Sequence, residues 1–421
     1  NISGAGDTTV VATDSLTVNN SSSGDVTLTP TVATTITHTG TGELTTTTGV
    51  ADVTVTASGT GALDFTDSVA GDTTVTGSSG DDEFNFGANL DEDDAVVGGT
   101  GTDTLVVTGA AAPFGAPGEG DIDVSGVETV EINSATAGDA LDFDVFANPS
   151  EITTVVVNST DEGDVVTLTD TQASTFTINN GSDATAEDIA SVVIDLKDAT
   201  GSTDAITINL NNTQTGDAGE QDDFAITTGI TANDIETVNL NTSFVSDEGT
   251  AEVITLNALT SDDVSALNIS GTADLVITSA LDTDVDTITS TSTGDTTLTL
   301  SGGDVTYTGG SGVDTLNFGT SLSAADTVDG GDGTDVVNAT FNSGTVTPAN
   351  FSNVETFNAT FSGGALNASG LTSISTINIV DTTTGAVLSG LANTTTTITQ
   401  QGSDTAAAKA LNLLYATGAD A

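Results

Sequence analysis

Residues Gly309–Ala339 read GGSGVDTLNFGTSLSAADTVDGGDGTDVVNA. The pattern G-G-x-G-x-D-x-U-x, with U a large apolar residue, occurs twice in this stretch, at Gly309–Asn317 and Gly330–Asn338. The glycines permit a tight turn whose carbonyls face inward, the Asp adds a carboxylate, and U begins a short strand buried in a coil. Calcium takes roughly six to eight hard oxygens and accepts carbonyls beside carboxylates. One turn cannot supply that many, so the pattern predicts coils stacked with cations between their turns.

The same arrangement stands earlier in the chain. Gly77–Val107, GSSGDDEFNFGANLDEDDAVVGGTGTDTLVV, aligns with Gly309–Ala339 at a constant offset of 232 residues. It holds one intact repeat, Gly98–Val106, and one at Gly77–Asn85 in which Ser78 replaces the second glycine. Repeat heads are 21 residues apart in both copies, three more than two nonapeptides need, and the extra residues are Phe86-Gly87-Ala88 and Phe318-Gly319-Thr320. Degenerate repeats at Asn89–Val97 and Ser321–Asp329 place Asp94 and Asp326 at the Asp position. The candidate carboxylate ligands are Asp82, Asp103, Asp314 and Asp335, joined by Asp81, Asp94 and Asp326. Gly77, Ser79, Gly98, Thr100, Gly309, Ser311, Gly330 and Asp332 are the candidate turn ligands. Ordinary hairpin loops could produce one such turn, but not pairs at identical spacing.

The duplication is wider than these turns. GTGEL (Gly40–Leu44) mirrors GTADL (Gly271–Leu275), GVETVEIN (Gly126–Asn133) mirrors NVETFNAT (Asn353–Thr360), and STFTINNGSD (Ser174–Asp183) mirrors TTTITQQGSD (Thr395–Asp404). These matches predict two tandem homologous lobes, 1–230 and 231–421. Between motifs the chain is made of β-branched runs such as Thr73–Thr76, Ile152–Val157 and Ala205–Leu210, which favour strands. Turn residues recur about every eight to twelve positions. The predicted fold is all-β: an elongated parallel β-solenoid or β-roll with calcium-binding turns and sandwich-like strand layers. Ala186–Lys197 reads equally as helix or strand. Asp404–Ala416 reads as a helix capped by Asp404.

Composition supports narrow layers. Of 421 residues only 4% are aromatic, Gly numbers 47 and Pro 5. A chain this long exceeds a single compact core. With 61 acidic residues against 2 Lys+Arg, the net charge is −59. Such density repels itself unless cations neutralise it, although acidic surfaces also serve solubility in saline water. It excludes nucleic acid, whose phosphates require Lys and Arg. Cys is absent, so neither disulfides nor thiolate metal sites are possible. No apolar run is long enough to span a bilayer.

The nonapeptides resemble those of RTX (repeats-in-toxin) proteins. Sparse nonapeptides set among long Thr/Gly/Asp-rich strand repeats with V-E-T-V elements are similar, within that group, to surface-layer proteins of Gram-negative bacteria. The resemblance implies type I secretion, calcium-triggered folding, and assembly with copies of itself into a porous two-dimensional lattice bound to lipopolysaccharide at the cell surface. This chain has few nonapeptides by comparison.

Catalysis is not expected. The chain has one His, His38, two Lys, Lys197 and Lys409, and no Arg. His38 lies in T-I-T-H-T-G, an alternating strand, where a surface position is expected. A carboxylate pair could hydrolyse glycosides, but sugar sites usually offer aromatic platforms, and here Trp is absent and Tyr numbers 2. An adhesin would carry a distinct ligand-binding domain among many near-identical repeats. Ice binding needs flat threonine ladders, and the runs Thr45–Thr48 and Thr394–Thr397 are too irregular. Acidic clusters at Glu119–Asp123 and Asp282–Asp286 put alternate carboxylates on a strand face. Further acids crowd Asp217–Asp223 and Asp262-Asp263. Each reads first as a solvated face and second as a place for cations to bridge subunits.

Overall fold

The computed structural model describes residues 1–13, 17–32, 35–49, 52–109, 122–134, 137–159, 163–180, 188–213, 223–244, 252–382, 385–391, 396–400 and 412–415. More than half of them lie in short strands, all paired in parallel and joined by turns, and no α-helix occurs among the described residues. The predicted parallel β-solenoid is the observed fold. The chain divides into two compact units, residues 1–199 and 200–421.

In the first unit, strands alternate between facing sheets. Thr8–Ala12, Val26–Pro30, Leu44–Thr48, Leu63–Asp67, Glu83–Gly87 and Thr104–Gly109 stack in one sheet. Thr17–Asn20, Thr35–His38, Val53–Ala57, Thr73–Thr76 and Ala95–Val97 stack in the other. All pairs are parallel, and each coil bonds only to its neighbours. The second unit repeats the plan, for example through Thr296–Thr299, Asp314–Gly319, Val336–Phe341, Thr356–Phe361 and Thr376–Thr382.

Period-2 alternation decides which residues meet. In register, Val18, Ile36, Val55, Val75 and Val96 form one inward column, fully or almost fully buried. Leu28, Phe65, Phe84 and Leu105 line the facing wall. The core is thus one residue deep from each sheet, which is why aliphatic and β-branched side chains suffice. In the second unit Phe341 stacks on Phe357 and Phe361 at ring-centroid distances of 6.2 and 5.2 Å.

Outward columns are neutral over long stretches. Thr35, Thr54 and Thr74 run beside Thr37, Thr56 and Thr76, one coil apart. Regular threonine ladders therefore exist, built from single T-x-T tripeptides rather than from the Thr runs. Thr46 and Thr48 of one run face inward and are buried. In the second unit the outward residues Asn317, Asn338, Asn358 and Asn378 pass amide hydrogen bonds along the stack at 2.7, 2.7 and 2.9 Å. Many acids gather at the corners, while Asp64 and Glu83 stand in register on the outward face of the first unit's other sheet. Asp7, Asp25 and Glu43 form one exposed column, in which the backbone N–H groups of Asp25 and Glu43 donate to the acid of the coil before, at 3.2 and 3.0 Å.

Three expectations change and one open reading is resolved. His38 is fully buried, on the inward side beside Asn20. Ala186–Lys197 contains the strand Ile189–Leu196. Within Asp404–Ala416 the described residues Asn412–Tyr415 are a strand paired with Val387–Leu391, not a helix; residues 404–411 and 416 lie outside the described ones. Pairing to an exposed ladder outweighs local helix propensity there. Asp282–Asp286 is a turn, with Asp284 N–H donating to Asp282 Oδ1 at 3.1 Å.

Phe357→Ala should remove the ring that packs against Phe341 and Phe351 and leave a cavity in a core with no spare depth. The expected loss is about 3–5 kcal/mol, read as a lower denaturant midpoint in urea unfolding.

Candidate metal centre

The nonapeptide heads stack as their spacing predicts. A Cβ on Gly77 would meet the Gly98 carbonyl oxygen at 2.1 Å, and one on Gly309 would meet that of Gly330 at 1.9 Å. The glycines are needed because the next coil's backbone occupies the space of a side chain. The residues left over from nonapeptide counting include a bulge. Gly87 and Gly319 have φ of +54° and +52°, and the ladder slips by one residue there. Phe86 and Phe318 beside them are buried.

All six Asp-position residues, Asp82, Asp94, Asp103, Asp314, Asp326 and Asp335, point inward and are at most 2% exposed. The tip residues Ser79, Asp81, Thr100, Ser311 and Asp332 are exposed; Asp81 Oδ1 accepts from Thr102 N–H at 2.8 Å.

The buried acids hold the coils together. Asp103 Oδ1 accepts from Asp82 N–H at 2.8 Å, and its counterpart Asp335 Oδ1 accepts from Asp314 N–H at 2.8 Å. The amides of Asp103 and Asp335 in turn donate to Glu128 and Glu355, both at 2.9 Å. Asp94 accepts from Thr73 and Asp91 N–H at 2.8 and 2.7 Å; Asp326 accepts from Val305 and Ser323 N–H at 2.8 and 2.6 Å. The two copies thus share one network. Glu128 and Glu355, of the repeated V-E-T element, belong to it. Sequence reading quoted that element without giving it a role, although its recurrence was the available signal.

Three oxygens are left out. Asp103 Oδ2, Asp314 Oδ1 and Asp335 Oδ2 are buried without a hydrogen-bond partner. The hydroxyls of Tyr307 and Thr296 lie against the Asp314 carboxylate and favour its ionised form, so Asp314 carries less of the burial penalty than Asp103 and Asp335, which have no such neighbour. A buried carboxylate oxygen without a donor is costly, and a hard cation is the group that would satisfy it. Among the described residues no three acidic or His side chains converge as a metal cluster. A cation in these turns would take most of its oxygens from backbone carbonyls, as calcium does. The donor set fits that role.

The other acidic clusters show no such feature. Asp262 and Asp263 are exposed. Residues 119–121 of one cluster and 217–222 of another lie outside the described residues. No family model, curated protein or solved structure matches this chain.

Burial pushes the carboxyls of Asp94, Asp103 and Asp335 up to about 6. It also raises those of Asp82 and Asp314. Acids whose folded pKa is raised hold more protons folded than unfolded between their ordinary value, about 4, and the raised one. The expected outcome is that in chelator the melting temperature falls as pH rises from about 4 to 6, then levels. Circular dichroism melts across that range check it, and a melting temperature that rises with pH would contradict it.

Proposed function

We propose that this chain is a secreted, calcium-stabilised structural β-solenoid of a bacterial cell surface, which assembles with copies of itself into a two-dimensional surface-layer lattice and has no enzymatic role. The observation that carries the reading is the set of buried, unpaired carboxylate oxygens on Asp103, Asp314 and Asp335, in the three turns whose motif is intact. Asp103 in the first copy, and Asp314 and Asp335 in the second, each with carbonyls of its own turn, would hold the ions. Bound calcium would supply the positive charge that two Lys cannot give 61 acids.

The parallel coils are compatible with the resemblance to RTX repeat proteins; lipopolysaccharide as the anchoring partner is what that resemblance implies. The lobes 1–230 and 231–421 are read as copies of one ancestral unit. Net charge favours calcium-dependent assembly. Exposed like charges repel over a Debye length of roughly 8 Å at physiological salt, and divalent ions between carboxylates of neighbouring copies offset this where sodium only screens it. The neutral sheet faces are the surfaces on which copies could approach without that repulsion.

Two measurements test the proposal. Chelation should lower the melting temperature or abolish the strand signal, since an ion that binds only the folded chain stabilises it. Dialysis against calcium, or against sodium at matched ionic strength, followed by electron microscopy should give ordered sheets in calcium alone. Fibres in calcium would favour an adhesin or matrix filament, and soluble monomers in both would overturn the lattice.

A further inference from the structure

The four nonapeptide turns differ in how their Asp is satisfied, and the difference follows the motif. In the intact turns one oxygen of Asp103, Asp314 and Asp335 is buried and unpaired. In the turn headed Gly77-Ser78, Asp82 is saturated. Its Oδ2 accepts from Ser78 N–H at 2.5 Å, and its Oδ1 accepts from Ser78 Oγ at 2.9 Å and from Leu63 N–H at 2.7 Å. Ser78 Oγ also accepts from Gly80 N–H at 2.9 Å, so the hydroxyl ties the acid to the turn backbone. The counterpart of Asp82 is Asp314, which receives one backbone bond, Gly310 N–H to Oδ2 at 3.2 Å.

The backbone permits the replacement at this turn. The second motif position has φ of +115° at Gly99 and +89° at Gly331, a region L side chains rarely adopt, whereas Ser78 and Gly310 have no positive φ. A Cβ at Gly310 would meet the Ser292 carbonyl oxygen at 2.3 Å, so serine has room only in the first copy.

We infer that cation binding resides at Asp103, Asp314 and Asp335, and that in the turn of residues 77–82 a serine hydroxyl has taken the ion's place. Asp82, Asp94 and Asp326 are then hydrogen-bonding corner posts, not ligands. The inference rests on the proposal that the intact turns bind calcium. It assigns one open carboxylate to the first copy and two to the second, so the copies are unequal in their demand for the ion.

The test compares Asp82→Asn with Asp103→Asn, Asp314→Asn and Asp335→Asn in the full chain. Bound calcium is counted by equilibrium dialysis, and melting is followed in chelator. Asp82→Asn should bind as much calcium as wild type but melt lower in chelator, by roughly 2–4 °C, because donors that the carboxylate had satisfied lose an acceptor oxygen. The other three should lose calcium and melt at or above wild type in chelator, since each loses a buried negative charge that no backbone donor at that oxygen offsets. Should Asp82→Asn fail to fold, Ser78→Ala, which removes the hydroxyl and keeps the carboxylate, should bind at least as much calcium as wild type and melt lower in chelator. Loss of calcium in Asp82→Asn or Ser78→Ala equal to that in Asp103→Asn would overturn the inference and leave calcium binding standing. A wild-type chain that binds no calcium would overturn both.

Discussion

The stack depends on one contact, the hydrogen bond from a backbone N–H of one coil to a corner carboxylate of the next. Strand ladders join coils along their flat sides, but at each turn the strands end and their amides need another acceptor. A short acid at a corner supplies one within 2.7–3.0 Å, and it does so at Asp25, Asp82, Asp94, Asp103, Asp326 and Asp335. The same side chain that closes the turn brings a charge into a thin core. The acidic excess of this chain is therefore partly a structural material, and the need for neutralisation comes with it.

This dual use accounts for what could be read from the sequence. The nonapeptide spacing foretold stacked turns because glycine is forced by the close approach of the neighbouring coil, a constraint every intact turn shares. Inward and outward faces were legible wherever an aliphatic residue marked the parity. His38 was misplaced although the signal was present: Ile36, two residues before it, faces inward, and a strand returns to the same face every second residue. Asp282–Asp286 looked like an alternating strand because a local Asx turn and a strand can share the same letters. Asn412–Tyr415 reads locally as helix, and only its partner strand reveals otherwise.

The site was legible in outline and not in detail. All six Asp positions are buried corner residues, as the motif implied. Which of them still needs a partner depends on donors brought by other coils, such as Leu63 and Thr73, and no spacing rule within a nonapeptide can count those. Ser78 was the one visible mark, a departure from the motif that changes the chemistry of the acid four residues on.

The corner columns have a consequence of their own. Asp7, Asp25 and Glu43 stand one strand spacing apart, about 4.8 Å, with no cation between them in the sequence. Asp52 and Asp72 form another such column, and the neighbouring Asp93 makes Asp72 harder to ionise. A line of like charges this dense behaves as a short polyelectrolyte, as the backbone of a nucleic acid does, and gathers a local excess of counterions. Cations are thereby concentrated along each edge. On the proposal that the turns bind calcium, their occupancy would follow the ratio of divalent to monovalent ions in the medium, and not the divalent concentration alone.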